Sequence, residues 1–386
     1  MKNILTTVLL FAGLNAFAQS GNEYTIAGKI QNLNSKKMYF SVKDDKAPRG
    51  SRQDSIMVKP DGSFSYKGTI DKITYINIWV NDDKVMKMVK GGGYYPVKSS
   101  QLQIIAAPGA KIKVAGKISD FVDAYPSGTP ANNDLAKLNK KINPLTNESV
   151  NMSLKIANKE VTDSVEIKKM NAKMEQLDIA VNKIKEDFIS KNNASVAAIW
   201  LLQDMMLRRQ LENNVAQSLF EKMNKEKLVS VPYYVDAAKR VDGMSATAIG
   251  KMVPDIKSMN TYDGKAFDLA SLRGKYVIID FWGTWCGPCI SGMPKMKEYL
   301  DKYSSKLEIV GVAQESDDGI NWKNFITKNP NYKWHHVLSR NNEDYILKFN
   351  VAGFPTKILV DPQGKIVSRT VGEGEEFYAE LDKALN

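Results

Sequence analysis

Asp280-Phe281-Trp282-Gly283-Thr284-Trp285-Cys286-Gly287-Pro288-Cys289 is the stretch whose reading decides the fold of this chain. It begins inside Tyr276–Trp282, a near-continuous apolar run that predicts a central strand covered on both faces. Cys286–Tyr303 predicts a helix, so Cys286 stands where a strand gives way to a helix. Unsatisfied backbone N–H groups and the positive helix end then face its sulfur. Such surroundings favour the thiolate and lower a thiol pKa from about 8.5 to roughly 7 or below. Cys289, one turn on, lies on the same side of the helix and can attack a mixed disulfide formed at Cys286. The chain has 2 cysteines, and these are they. A bridge closing so small a loop removes little entropy from the unfolded chain, so chemistry accounts for the pair better than stapling does.

Asp280 lies within the same predicted strand, six residues before Cys286. An unpaired carboxylate there is costly and has a raised pKa. A carboxyl of that kind can exchange a proton with the thiol of Cys289. The competing reading is an Asp at the strand's end bonded to backbone.

The pattern around this stretch alternates. Leu307–Val312 predicts a second buried strand, Trp322–Lys328 and Glu343–Phe349 helices, and Glu375–Leu385 a closing helix. Thr356–Val360 and Lys365–Val371 predict a strand pair around Asp361-Pro362-Gln363-Gly364. Strands alternating with helices give an α/β sheet over residues 246–386.

The rest of the chain reads differently, as a length of 386 residues allows. Residues 19–128 predict an all-β, sandwich-like domain: Tyr24–Ile30 roughly alternates, Asp61-Gly62 marks a hairpin between Ser55–Lys59 and Ser63–Lys67, and Pro108-Gly109 marks another turn. Residues 129–245 predict a helical segment. No glycine falls between Gly128 and Gly243, and Ile199, Leu202, Met206 and Leu211, then Val215, Leu219 and Met223, follow helical spacing. Three or four amphipathic helices are expected, packing on the flanking domains or making a homodimer contact. Residues 1–18 predict a signal peptide. Lys2 supplies the charge, Ile4–Phe11 the apolar core and Ala16-Phe17-Ala18 the cleavage site. No cysteine follows that site, so a periplasmic protein without a lipid anchor is expected. The formal charge of +11 is diffuse, and residues 251–386 balance at 18 basic against 18 acidic groups. With no basic helix or aromatic-basic platform, nucleic acid is not expected as a partner.

Trp285-Cys286-Gly287-Pro288-Cys289 resembles the active-site motif of the thioredoxin family. Pro294 matches the kink proline of that family's active-site helix, and Gly353-Phe354-Pro355-Thr356 resembles its cis-proline loop. The 69 positions between Cys286 and Pro355 leave room for an inserted helix and strand, as in the TlpA/ResA-like secreted branch. The resemblance implies a thioredoxin-like fold and a thiol–disulfide oxidoreductase. It implies a redox-active disulfide between Cys286 and Cys289. A client chain would contact Trp285, Gly287, Pro288, Phe354 and Pro355. Relatives in this branch carry a glutamate shortly before the kink proline, where this chain has Gly292. Glu315 resembles another acidic position of the branch and reads equally as a solvated loop acid.

Other chemistries compete. Cys286-x-x-Cys289 also fits half a zinc site, but the remaining soft ligands, His335 and His336, are adjacent on a predicted strand and point to opposite faces. No metal and no cofactor are expected. The Thr-x-x-Cys loop of a peroxidase is missing. Gly287-Pro288 between the cysteines favours a reductase, since strong oxidants sit about 150 mV higher. An oxidase or isomerase, or a cell-surface binding protein with an incidental redox module, stays as the alternative. A reductant in an oxidising compartment needs recharging by a membrane thiol donor of the CcdA/DsbD kind. Its clients would be disulfide-bearing exported proteins, apocytochromes among them.

Overall fold

The computed structural model describes residues 21–43, 51–340 and 344–386. The expected signal peptide, with its cleavage after Ala18, and the expected helix start at Glu343 lie outside the described residues.

The first domain is built from β1 (Glu23–Gln31), β2 (Lys37–Lys43), β3 (Ser51–Met57), β4 (Ser63–Thr69), β5 (Thr74–Val80), β6 (Gln101–Ala106), β7 (Lys111–Ile118) and β8 (Val122–Ser127). These form two four-stranded sheets, ordered β4-β1-β7-β8 and β3-β2-β5-β6. Alternate residues of both, including Ile26, Phe40, Ile78, Leu102 and Ile112, share one core, so the domain is a sandwich. Each such side chain contributes about 1.5–3 kcal/mol on burial.

One local expectation is corrected. The turn at Asp61-Gly62 forms, with the Gly62 N–H donating to the Lys59 carbonyl at 2.9 Å. The strands it joins do not pair along their length: β3 pairs with β2 and β4 with β1. The turn is a crossing between the two sheets, and a single bridge, Val58 to Phe64, marks where they part. Gly62 has φ +79° and a Cβ there would lie 2.2 Å from the Ile30 carbonyl oxygen, so only glycine fits.

The helical segment comprises α1 (Pro130–Ala157), α2 (Ser164–Lys191), α3 (Val196–Leu207), α4 (Asn213–Glu221), α5 (Lys225–Leu228) and α6 (Pro232–Ala246). Six helices are described where three or four are expected. The extra breaks follow side-chain caps, with Thr129, Asp163, Ser195 and Asn224 each accepting a backbone N–H at a helix start. Leu211 and Met223 fall beyond the ends of α3 and α4. α3 is not amphipathic, since Ala197 to Leu202 are all buried. Contacts on both sides tie this segment to its neighbours. Asn132 of α1 bonds both the N–H (2.9 Å) and the carbonyl (2.8 Å) of Ile105, capping the open edge of β6, the terminal strand of its sheet. Gly243 of α6 sits where a Cβ would be 2.8 Å from the carbonyl oxygens of Leu347 and Lys348.

The C-terminal region adds a short hairpin, β9 (Lys257–Ser258) and β10 (Phe267–Asp268), which the sequence reading does not anticipate. It continues with β11 (Tyr276–Trp282), α7 (Gly287–Lys302), β12 (Leu307–Ala313), α8 (Ile320–Lys328), β13 (His335–Leu338), α9 (Tyr345–Lys348), β14 (Thr356–Val360), β15 (Ile366–Val371) and α10 (Glu375–Leu385). The sheet order is β13-β12-β11-β14-β15. β12 runs parallel to β11 and β13 to β12, whereas β14 is antiparallel to β11 and β15 to β14. β11 is central and buried on both faces, as its unbroken apolar run requires. Ile278 and Trp282 pack under α7 and α10 with Cys286, Cys289 and Phe377, whereas Val277, Ile279 and Phe281 pack on the opposite face. Among the described residues no helix is long and apolar enough to cross a membrane.

Candidate active site

β11 ends at Trp282 and α7 begins at Gly287, so Cys286 is the N-cap residue of α7. Its Sγ accepts the Cys289 N–H at 3.3 Å, the interaction that would stabilise an anion at that atom. The structure holds the pair as a disulfide, with Sγ–Sγ 1.98 Å. Cys289 is fully buried and Cys286 retains 5% exposure at the surface edge of the pair. Gly287 and Pro288 are exposed beside it.

Two further loops meet here. Phe354-Pro355 is a cis peptide immediately before β14. The Phe354 ring stands edge-on to Trp285, with centroids 5.0 Å apart, joining the cis-proline loop to the cysteine loop. Trp285 is 58% exposed, and its indole Nε1–H donates to the Gln314 carbonyl at 2.9 Å. Glu315 is not a freely solvated loop acid. Its carboxylate accepts the Thr284 N–H at 2.7 Å and the Thr284 hydroxyl at 3.0 Å, bracing the loop that leads into Cys286. Burial pushes the Glu315 carboxyl above its ordinary range, and the Thr284 hydrogen bonds oppose that.

Asp280 shares a face of β11 with Ile278 and Trp282, the face covered by α7. It is not the unpaired carboxylate of the sequence reading, nor bonded to backbone. Its register partner on β14 is Lys357, whose Nζ lies 3.4 Å from Asp280 Oδ1. Both side chains are almost wholly buried. Burial pushes the Asp280 carboxyl up, and Lys357 opposes that. Lys357 Nζ hydrogen-bonds Glu373 instead, at 2.5 Å, and the Tyr378 hydroxyl donates to Glu373 Oε1 at 3.0 Å. Lys357, Glu373 and Tyr378 are therefore the polar residues of the site that sequence reasoning missed. A signal existed for Lys357, the one charge in the buried run Thr356–Val360. The missing side chain at Gly292 is what admits Glu373, since a Cβ there would lie 2.4 Å from Glu373 Cδ.

The two histidines sit in β13. His335 Nε2 lies 3.7 Å from Glu308, and His336 Nε2 bonds the Tyr332 carbonyl at 2.8 Å. Burial lowers the His336 pKa to about 4.

Residues 274–366 match a family model described as thioredoxin-like, and residues 24–135 match a domain of unknown function (DUF4369). The chain is 36% identical over 127 residues to thiol-disulfide oxidoreductase ResA of Bacillus cereus, covering 32% of this chain and 70% of that protein. It is 31% identical over 131 residues to thiol-disulfide oxidoreductase ResA of Bacillus subtilis, covering 34% and 71%. Among solved structures, the thioredoxin domain of a thiol-disulfide oxidoreductase from Bacteroides vulgatus aligns with 30% identity and a TM-score of 0.32, covering 36% of this chain and 99% of that one. Through its C-terminal region, this chain belongs to the ResA family of thioredoxin-like thiol-disulfide oxidoreductases.

Proposed function

We propose that the protein reduces disulfides in exported proteins, with Cys286 as the attacking thiolate and Cys289 as the resolving thiol. The observation that carries this reading is the position of Cys286. It caps α7 at a surface edge while its partner is buried one turn behind. The Cys286 thiolate attacks one sulfur of a client disulfide, and the client's other sulfur leaves as a thiolate that takes a proton from water. Cys289 then gives its proton to Asp280 and attacks Cys286 Sγ. That expels the client's second sulfur as a thiolate, which takes a proton from water, and leaves the Cys286–Cys289 disulfide, with two electrons passed to the client. Trp285, Gly287, Pro288 and Phe354 form the surface against which the client chain lies, with the buried cis-proline Pro355 next to Phe354 completing the subsite. Glu315 holds the cysteine loop in place through Thr284.

The Gly287-Pro288 spacer supports the reductase direction: it is shared with reducing thioredoxins, whose potential is about −270 mV, against about −120 mV for a strong oxidant. A protein with this poise, exported to the periplasm as residues 1–18 suggest, needs a membrane thiol donor of the CcdA/DsbD kind to reduce its disulfide again. Apocytochromes are one client class, and a homodimer through the helical segment is one assembly compatible with this role. The test is insulin reduction by the full chain with a chemical dithiol as electron source, together with the potential of the cysteine pair. Turnover and a potential near about −270 mV are expected. A value near about −120 mV overturns the reductase direction, and no turnover overturns the reading itself.

A further inference from the structure

The space left by the missing side chain of Gly292 is filled by a carboxylate from elsewhere in the chain. Glu373 lies between β15 and α10 and reaches under α7 to Lys357. Lys357 thus stands between two acids, hydrogen-bonded to Glu373 and 3.4 Å from Asp280 Oδ1. Asp280 Oδ1 is buried and accepts no hydrogen bond among the described residues. One ammonium cannot fully satisfy two carboxylates in a buried site, and Asp280, raised first by its burial, is raised further by the Glu373 charge. Glu373 is its outer member, with a side chain 21% exposed against 2% for Asp280 and 1% for Lys357.

We infer that Glu373 is a positioning residue for the resolving step: by holding Lys357 away from full pairing with Asp280, it leaves Asp280 free to take the proton of Cys289. This rests on the proposed role of Asp280 as the acceptor of that proton. The groups bonded within and to this unit come from three further places: Lys357 from β14, Glu373 from the β15–α10 connection and Tyr378 from α10. Cys286, the N-cap of α7, and Cys289 in its first turn pack in one core cluster with Ile278 and Trp282, which flank Asp280 on its face of β11. Lys295 of α7 lies over the Tyr378 ring, 4.2 Å from its centroid, and pairs with Glu375 rather than with the unit.

The electrostatic consequence has a sign for each partner. Without the Glu373 charge, Lys357 turns wholly to Asp280 and favours its ionised form. Without the Lys357 charge, two carboxylates face each other and Asp280 holds its proton to higher pH.

The test uses the full chain, reduced and then loaded at Cys286 with a chromogenic aryl thiol. The rate at which Cys289 expels that thiol is followed against pH. Glu373→Gln is expected to move the midpoint of the profile down by about one pH unit, and Lys357→Met to move it up by a similar amount. Gly292→Ala, whose new Cβ displaces the Glu373 carboxylate without changing any charge, is expected to shift it in the same direction as Glu373→Gln. A merely structural role would lower rates without opposite displacements. If Lys357→Met does not fold, Glu373→Gln and Gly292→Ala decide the matter between them. Midpoints that coincide with wild type, or that all move one way, overturn the inference while insulin turnover by the wild-type chain leaves the reductase reading standing. Absence of wild-type turnover is the distinct failure of that earlier reading.

Discussion

Lys357 stands directly across the sheet from Asp280, as its antiparallel register partner, with Nζ 3.4 Å from Oδ1 and both side chains sealed from water. A charge pair this deep gains stability only where its remaining hydrogen-bonding capacity is met elsewhere. Here Lys357 meets it through Glu373, and Asp280 is left the strained member.

The first prediction concerns stability against pH. Burial raises the Asp280 carboxyl pKa above its value in the unfolded chain. The folded state therefore binds the proton more tightly than the unfolded state does. Stability is lost as pH rises from the ordinary carboxyl value through the raised one, and the cost is complete above it. Asp280→Asn is expected to melt higher than wild type at pH 8, by several degrees, with the gap closing toward pH 3. Its insulin reduction should fall at least tenfold. Calorimetry across pH checks the first, and turnover the second.

Client contact is the second. Trp285 and Phe354 join the cysteine and cis-proline loops through one edge-to-face ring contact. Phe354→Ala loses that contact, worth about 0.5–1.5 kcal/mol beyond area. KM for a protein disulfide is expected to rise several-fold, with a smaller change toward a small-molecule disulfide. Steady-state kinetics on both substrates distinguish a docking role from a redox one.

Loop bracing is the third. Glu315→Ala leaves the Thr284 N–H and hydroxyl without the acceptor they share. A loss of about 1–3 kcal/mol in stability is expected. Glu315→Gln keeps an acceptor oxygen and should lose less. Denaturant unfolding of both variants checks the order.

The last prediction is on domain contact. At Gly243 α6 lies so near the backbone that a Cβ would be 2.8 Å from the Leu347 and Lys348 carbonyl oxygens, and Arg240 on the same helix donates to the Val351 carbonyl at 3.1 Å. Val351 lies three residues before Phe354. Gly243→Val must push α6 off this segment, despite the better helix propensity of valine over glycine. A net destabilisation of about 1–3 kcal/mol is expected, together with a rise in proteolytic cleavage between 246 and 256. Limited proteolysis and thermal melting measure both.

How far the chain could be read depended on the range of the interaction. Tyr276–Trp282, Thr356–Val360 and Glu375–Leu385 match the elements at β11, β14 and α10 because each is encoded within its own residues, the two strands by short, mostly apolar runs and the helix by a period of about 3.6. The hairpin at Asp61-Gly62 misled for the same reason. Turn chemistry is local, but whether the flanking strands pair with each other or with β1 and β2 depends on the whole sandwich. In the helical segment, the buried α3 carries no clear stripe, because all its sides find neighbours.

The sequence by itself determined the reactive pair, since four consecutive residues between a buried strand and a helix place Cys286 at the helix start and Cys289 one turn behind. Only the tertiary structure decided what surrounds Asp280. Its partner Lys357 is 77 positions away, and Glu373 reaches the same point through a gap that Gly292 leaves in another helix. Contacts of that kind are set by strand register and by which side chains the packed layers leave room for, and neither is written in any local pattern.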